Sequence, residues 1–180
     1  FIQALDPADK LYRIDREINK DTELQPLVRW QFRGLEEKDQ KAFLFENVTD
    51  SKKRKYQGSV LVGGLAGSAD IYCLGVQCKP DEMIDRWKHA VDHPVEPVIG
   101  REGPVTEEIH SGSDLLAHGG FNEFPVPIST PGFDNGPYIT AGHWITKDPE
   151  TGARNMGNYR GLIRGPGLSG LMIGTPQDLS

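Results

Sequence analysis

Helical periodicity stops at Val91 and does not return in the second half of the chain. Pro94 and Pro97 break the backbone there, and strand-and-turn chemistry takes over. The stretch from Phe124 through Pro125, Val126, Pro127 and Pro131 to Gly132 is too rich in proline for a central strand and reads as extended surface chain. Tyr138 to Thr146 reads as a strand. Asp148 to Gly152 reads as a turn in which Gly152 is free to take positive φ, and Asn155 to Arg164 as the returning strand. Gly165-Pro166-Gly167 turns again into a third strand, Leu168 to Ile173. The high counts of Gly (21) and Pro (13) fit many turns and short strands. The expected fold class is therefore α/β (α+β). A small α/β domain, residues 1–110, is followed by an incomplete and mostly antiparallel β domain, residues 111–180.

The first part reads differently. Phe1 to Leu5 has the look of a helix. Asp21 or Thr22 can cap a helix that runs to about Phe32, with Leu24, Leu27, Val28 and Phe32 at helical spacing, Pro26 in the first turns and Gly34 as the stop. Ala42 to Val48 is an apolar run that reads as a buried strand, and Gly58 to Gly64 as a second short strand. Ser68 can cap a helix holding Ile71 and Leu74. A stronger helix spans Pro80 to Val91, with Met83, Ile84, Trp87, Ala90 and Val91 as a core-facing stripe. Both ends read as interior to something longer. Phe1 is not an initiator Met, and Asp178-Leu179-Ser180 has the capping chemistry of a helix start.

Charge and cysteine content exclude several classes. The net charge of −6 disfavours nucleic acid as a partner, and Lys52-Lys53-Arg54-Lys55, the one basic run, reads as a solvated loop. Cys73 and Cys78 have no Cys/His cluster beside them, so they do not make a zinc site and are expected as free thiols in a cytoplasmic protein. No apolar run approaches membrane-spanning length and no signal peptide is present, so no membrane partner is expected.

The chemistry concentrates in the hairpin from Tyr138 to Arg164. Asn155, Asn158 and Arg160 place three polar groups among small or apolar neighbours. An Asn carboxamide oxygen is a hard ligand for Mg²⁺ or Mn²⁺, and an Arg fork suits a phosphate or carboxylate. Strict alternation puts Asn155 and Arg160 on opposite faces, so a shared site requires a bulge, placed at Gly157, where a flat ligand could also approach. The plain alternative is a row of polar residues on a solvated strand face. Elsewhere, His110, His118 and His143 share no ligand spacing. His143 could face a ligand, though a core or surface histidine is the simpler reading. Gly63 to Ser68 could cradle a phosphate but reads better as a turn.

Three strings in this region, Gly136-Pro137-Tyr138-Ile139-Thr140, Asp148-Pro149-Glu150-Thr151-Gly152 and Asn155-Met156-Gly157-Asn158-Tyr159-Arg160, together resemble the signature of the UbiD family. Phe124-Pro125-Val126-Pro127 and Ala42 to Val48 are similar to two further family elements, in family order. The resemblance implies the amino-terminal portion of a prenylated-FMN-dependent decarboxylase, its second domain being the first part of a flavin-binding split β-barrel. The implied activity is reversible non-oxidative decarboxylation of an aromatic or α,β-unsaturated carboxylic acid. The implied cofactors are prenylated FMN with Mn²⁺ or Mg²⁺, and K⁺ as a further candidate. Asn155 would bind the metal; Asn158, Tyr159 and Arg160 would line the flavin with it; and Arg160 would belong to a catalytic Glu-Arg-Glu network that positions the substrate carboxylate.

The family's metal-binding Glu and both network glutamates fall beyond Ser180, and its metal-binding His falls near Gln177 or Asp178, neither of which is His. The isolated piece is therefore expected to be inactive. Its expected partners are a flavin prenyltransferase as cofactor supplier and either further copies of itself or the remainder of the enzyme. Two other readings remain open at this point: a non-catalytic flavin-binding or assembly subunit, and a plain FMN oxidoreductase on a similar barrel, for which Arg160 would be dispensable.

Overall fold

A computed structural model describes residues 1–100 and 102–172. Its first half is built around β3 of a small mixed sheet. In chain order the elements are α1 (Ile2–Leu5), β1 (Leu11–Ile14), β2 (Ile18–Asn19), α2 (Leu24–Gly34), β3 (Ala42–Phe45), β4 (Val48–Thr49), β5 (Val60–Val62), α3 (Ala69–Val76) and α4 (Met83–Asp92). β3 lies between β1, to which it runs parallel, and β5, to which it is antiparallel; β2 and β4 pair in parallel beside this sheet. All four residues of β3 are buried, because the sheet is covered on both sides. Phe43 and Phe45 pack with Ile18, Leu24, Val28 and Val48, while Ala42 packs with Leu5 of α1 and Ile71 of α3. Gln31 is buried on α2 with its amide satisfied at both ends. It donates to the Lys41 carbonyl (2.8 Å) and accepts from the Lys41 N–H (2.9 Å), pinning the helix to the start of β3.

Local chemistry sets several boundaries as read from the sequence. The Ser68 hydroxyl accepts from the Ile71 N–H (3.4 Å) at the start of α3, and the segment before it is a plain turn, closed by the Gly67 N–H donating to the Gly63 carbonyl (3.1 Å). Asp21 and Thr22 do not cap α2, which starts at Leu24 after Glu23. Asp21 instead accepts from the Ser51 N–H and pairs with Lys20. Gly34 is the last residue of α2 rather than the stop beyond it. The expected helix from Pro80 begins as a 3₁₀ turn, Pro80–Glu82, and continues as α4. The apolar stripe of α4, expected to face the core, has no buried residue: Met83 is half-buried, Ile84 is 69% and Val91 72% accessible, and Trp87 stacks on Tyr72.

The second half contains α5 (Ser113–Ala117), β6 (Tyr138–Ile139), β7 (His143–Lys147), β8 (Arg154–Asn158), β9 (Gly161–Gly165) and β10 (Leu168–Leu171). β10, β9 and β6 form one antiparallel sheet, and β7 and β8 form a separate hairpin. Neither long strand of the expected hairpin is continuous. The first breaks at Thr140–Gly142 and the second at Tyr159–Arg160, and the pieces join different sheets. The expected third strand is β10 as far as Leu171; Ile173, and Gln177 to Ser180, lie outside the described residues. The fold class is mixed α/β as expected, with no closed barrel among the described residues. Arg29 on α2 reaches the second half, donating to the Ser129 carbonyl and the Thr130 hydroxyl (both 2.7 Å). No helix among the described residues is long and apolar enough to cross a membrane.

Candidate functional site: the β7–β8 hairpin and the Arg160 loop

The hairpin turn is fixed by one carboxylate. Asp148 Oδ1 accepts from the N–H groups of Glu150 (2.8 Å) and Thr151 (2.7 Å), and Gly152 takes the positive φ (74°) that closes the turn. The same backbone donors, Thr151 first, hold the Asp148 carboxyl below the usual carboxylate range. From this turn β7 and β8 pair without a register shift, from Lys147 with Arg154 to His143 with Asn158. Accessibility alternates along both strands. Trp144, Thr146, Asn155 and Gly157 are half-buried, whereas His143, Ile145, Met156 and Asn158 are exposed. His143 is thus a surface histidine. No bulge interrupts the hairpin at Gly157; among the described residues of this half, the one register shift lies between Leu168 and Ser169.

Gly157 is nonetheless required, for another reason. A Cβ there would stand 2.2 Å from Cε2 of Tyr159 and 2.7 Å from its hydroxyl. The space left by the missing side chain is filled by the protein's own ring rather than reserved for a ligand. The Trp144 indole follows on, donating to the Tyr159 carbonyl (2.8 Å). A Cβ at Gly161 would meet both Trp144 (2.9 Å) and the Ser169 hydroxyl (2.9 Å). This face is therefore a contact chain through Gly157, Tyr159, Trp144, Gly161 and Ser169.

Two side-chain atoms in this region, Asn155 Nδ2 and Ser169 Oγ, are buried without a hydrogen-bond partner. Buried polar groups are satisfied as a rule, and an unsatisfied one costs about 1–3 kcal/mol. Ser169 carries no sequence signal beyond a lone hydroxyl in a short strand, so sequence reasoning missed it.

Asn158 has partners of its own. With its amide nitrogen turned toward them, it donates to the carbonyls of Thr140 (3.2 Å) and Gly142 (3.1 Å), clipping the break between β6 and β7. Arg160 follows β8, and its guanidinium lies over the Tyr138 ring, 4.2 Å from the centroid. Its Nη2 is 3.4 Å from Asp134 Oδ1, and Asp134 Oδ2 accepts from the Thr130 N–H (2.7 Å). Arg160 remains half-exposed at 55%, so its fork has capacity for a further anion.

The larger cavities lie elsewhere. A cleft of about 620 Å³ is lined by Lys20, Asp50, Arg54 and Tyr56 on one side and by Pro137, Ile163 and Arg164 on the other. In it, burial first and then the hydrogen bond to Asp50 push the Tyr56 hydroxyl up to about 12. None of the four expected site residues lines this cleft, and polar chemistry rather than volume distinguishes the hairpin.

Residues 97–179 match the family described as "UbiD: 3-octaprenyl-4-hydroxybenzoate carboxy-lyase Rift-related domain". The UbiD-class enzyme HmfF from Pelotomaculum thermopropionicum is similar over 99% of this chain at 27% identity. Its complex with FMN superposes with a TM-score of 0.78, and an evolved dimeric form in complex with prFMN with 0.80. The family match falls in the second half of the chain, and the likeness to UbiD-class enzymes extends over nearly all of it. The chain has the architecture of the amino-terminal portion of UbiD-class enzymes and covers 36% to 38% of the HmfF chain. Among curated relatives, the anhydromevalonate phosphate decarboxylase of Methanothermobacter thermautotrophicus is 28% identical over 114 residues, 63% of this chain and 25% of its own. A Rhodospirillum rubrum protein known only by its place in the cooM 5′ region is 28% identical over 165 residues, 92% of this chain and 33% of its own. The chain thus spans a third or less of the length of these two relatives.

Proposed function

We propose that this chain is part of a UbiD-family enzyme and supplies the flavin-facing hairpin of a carboxy-lyase that reversibly decarboxylates an aromatic or α,β-unsaturated carboxylic acid with prenylated FMN. Asn155 carries the reading. In a chain similar to UbiD-class enzymes, a half-buried carboxamide whose nitrogen has no partner fits a cofactor phosphate and its divalent cation. The carboxamide oxygen would ligate Mn²⁺ or Mg²⁺, with K⁺ as a further candidate, while the nitrogen donates to a phosphate oxygen. Asn158, Tyr159 and Arg160 would line the flavin together with Asn155. The cofactor, when bound, supplies the electron sink for loss of CO₂.

The chain's own residues do the positioning. Tyr138 supports the Arg160 guanidinium from below, and Asp134 holds one edge of it at 3.4 Å. The free part of the fork would take the substrate carboxylate and orient it. Arg160 would also stabilise the ionised form of a nearby acid-base glutamate supplied by the rest of the enzyme. The proposal extends to a division of the chain near residue 110, a flavin prenyltransferase as cofactor supplier, and assembly as a homo-oligomer or with the remainder of the enzyme.

Arg160→Ala in the complete enzyme tests the reading. Turnover is expected to fall by at least about 100-fold with flavin still bound, because carboxylate orientation is lost. Near-normal turnover would remove Arg160 from the mechanism.

A further inference from the structure

His110 and His118 share no ligand spacing in the sequence, but the fold brings them together with Asp114. Among the described residues, they form a group of potential metal ligands whose donor atoms all lie within 4.8 Å of one another. His110 precedes α5, Asp114 sits in its first turn, and His118 closes it, with the His118 N–H donating to the Asp114 carbonyl (3.1 Å). Asp114 and His118 lie four residues apart on one side of α5, and the chain that leads into the helix brings His110 against them. His110 Nδ1 is 3.0 Å from Asp114 Oδ2, and His118 Nε2 is 3.6 Å from Asp114 Oδ1. The two imidazoles face one another with centroids 3.8 Å apart.

We infer that His110, Asp114 and His118 form a binding site for a late first-row divalent cation of the zinc type. The distances suit such an ion. Ligand bonds near 2.0–2.1 Å in a tetrahedron place donor atoms about 3.3 Å apart; His110 Nδ1 and His118 Nε2 stand 3.0 Å and 3.6 Å from the two oxygens of Asp114, and donor atoms within 4.8 Å of one another need only side-chain rotation to close on one ion. Two imidazoles and a carboxylate are a borderline donor set, which selects Zn²⁺, Co²⁺ or Ni²⁺ over Mg²⁺ or Ca²⁺. Three protein ligands leave a fourth position for water.

The surroundings favour a cation. The Glu108 and Glu123 carboxylates lie close enough to act on His110, with Arg54 as an opposing charge that approaches Gly119. The side chains are accessible to an incoming ion, Asp114 at 56% and His118 at 49%. The site is distinct in residues and ligand hardness from the one proposed at Asn155, and it does not depend on the decarboxylase reading.

Co²⁺ titration of the whole protein that carries this chain, followed by visible absorption and Zn²⁺ competition, is the test. One equivalent of Co²⁺ should bind with ligand-field bands that Zn²⁺ abolishes. The His110→Ala/His118→Ala variant should bind at least about 10-fold more weakly, since loss of even supporting groups at a metal site costs that much. Asn155→Ala should leave the bands intact. Should the double variant misfold by circular dichroism, Asp114→Asn, which keeps the shape, supplies the same comparison. Absence of Co²⁺ binding, or binding that neither variant weakens, would overturn the assignment.

Discussion

Replacing Gly157 by Ala puts a methyl group 2.2 Å from Cε2 and 2.7 Å from Cζ of Tyr159. Both distances are far below contact, so the ring must swing away or the strand must shift. The ring cannot move without cost, because the Tyr159 carbonyl holds the Trp144 indole and Trp144 in turn packs at Gly161. Overpacking of this kind costs about 1–3 kcal/mol. Alanine would otherwise gain about 0.5–1 kcal/mol over glycine within a strand. With contacts this short the clash belongs at the upper end of the overpacking range, and the expected result is a net loss of about 2 kcal/mol in urea unfolding of the protein, seen as a lower midpoint at unchanged slope. The sign should reverse in a Tyr159→Ala background, where the same Gly157→Ala change becomes neutral or slightly stabilising. A Gly157→Ala protein as stable as the parent, or an equal loss in both backgrounds, would refute the role given to the ring.

Phe45 is fully buried in the core over β3, so Phe45→Ala should lose about 3–5 kcal/mol by chemical denaturation, or prevent folding outright. Asp148 should titrate below the usual carboxylate range in an NMR pH series. Its folded-state pKa is depressed, so its contribution to hairpin stability is fully present above the unfolded value and disappears as pH falls through the folded one. Asp148→Ala should abolish that acid-side dependence and loosen the turn, read as faster amide exchange at Glu150 and Thr151.

Where side chain and backbone settle a boundary within a few residues, the sequence was readable. The Ser68 cap, the turn before it and the positive φ at Gly152 all follow from local hydrogen bonding and sterics. The all-apolar run of β3 announced a strand covered on both faces. Features that depend on distant partners were not readable. The α4 stripe has the period of a buried face, but periodicity does not say whether another element covers it, and here Ile84 and Val91 remain exposed. Alternation alone suggested a bulge at Gly157, because nothing local indicates that a ring two residues on needs the space. The long strand from Tyr138 breaks at Thr140–Gly142, where the Asn158 amide nitrogen, turned toward the Thr140 and Gly142 carbonyls, makes a contact across the hairpin that local sequence does not reveal. Ligand chemistry singles out Asn155 in the sequence, whereas nothing around Ser169, whose hydroxyl is likewise buried without a partner, does so.

Native mass spectrometry of the protein purified from its natural source, beside its Asn155→Ala variant, tests the central claim most directly. The account predicts a flavin of prenylated-FMN mass together with a divalent metal on the parent, and loss of both from the variant. A parent protein without flavin, or a variant that keeps flavin and metal in full, would contradict it.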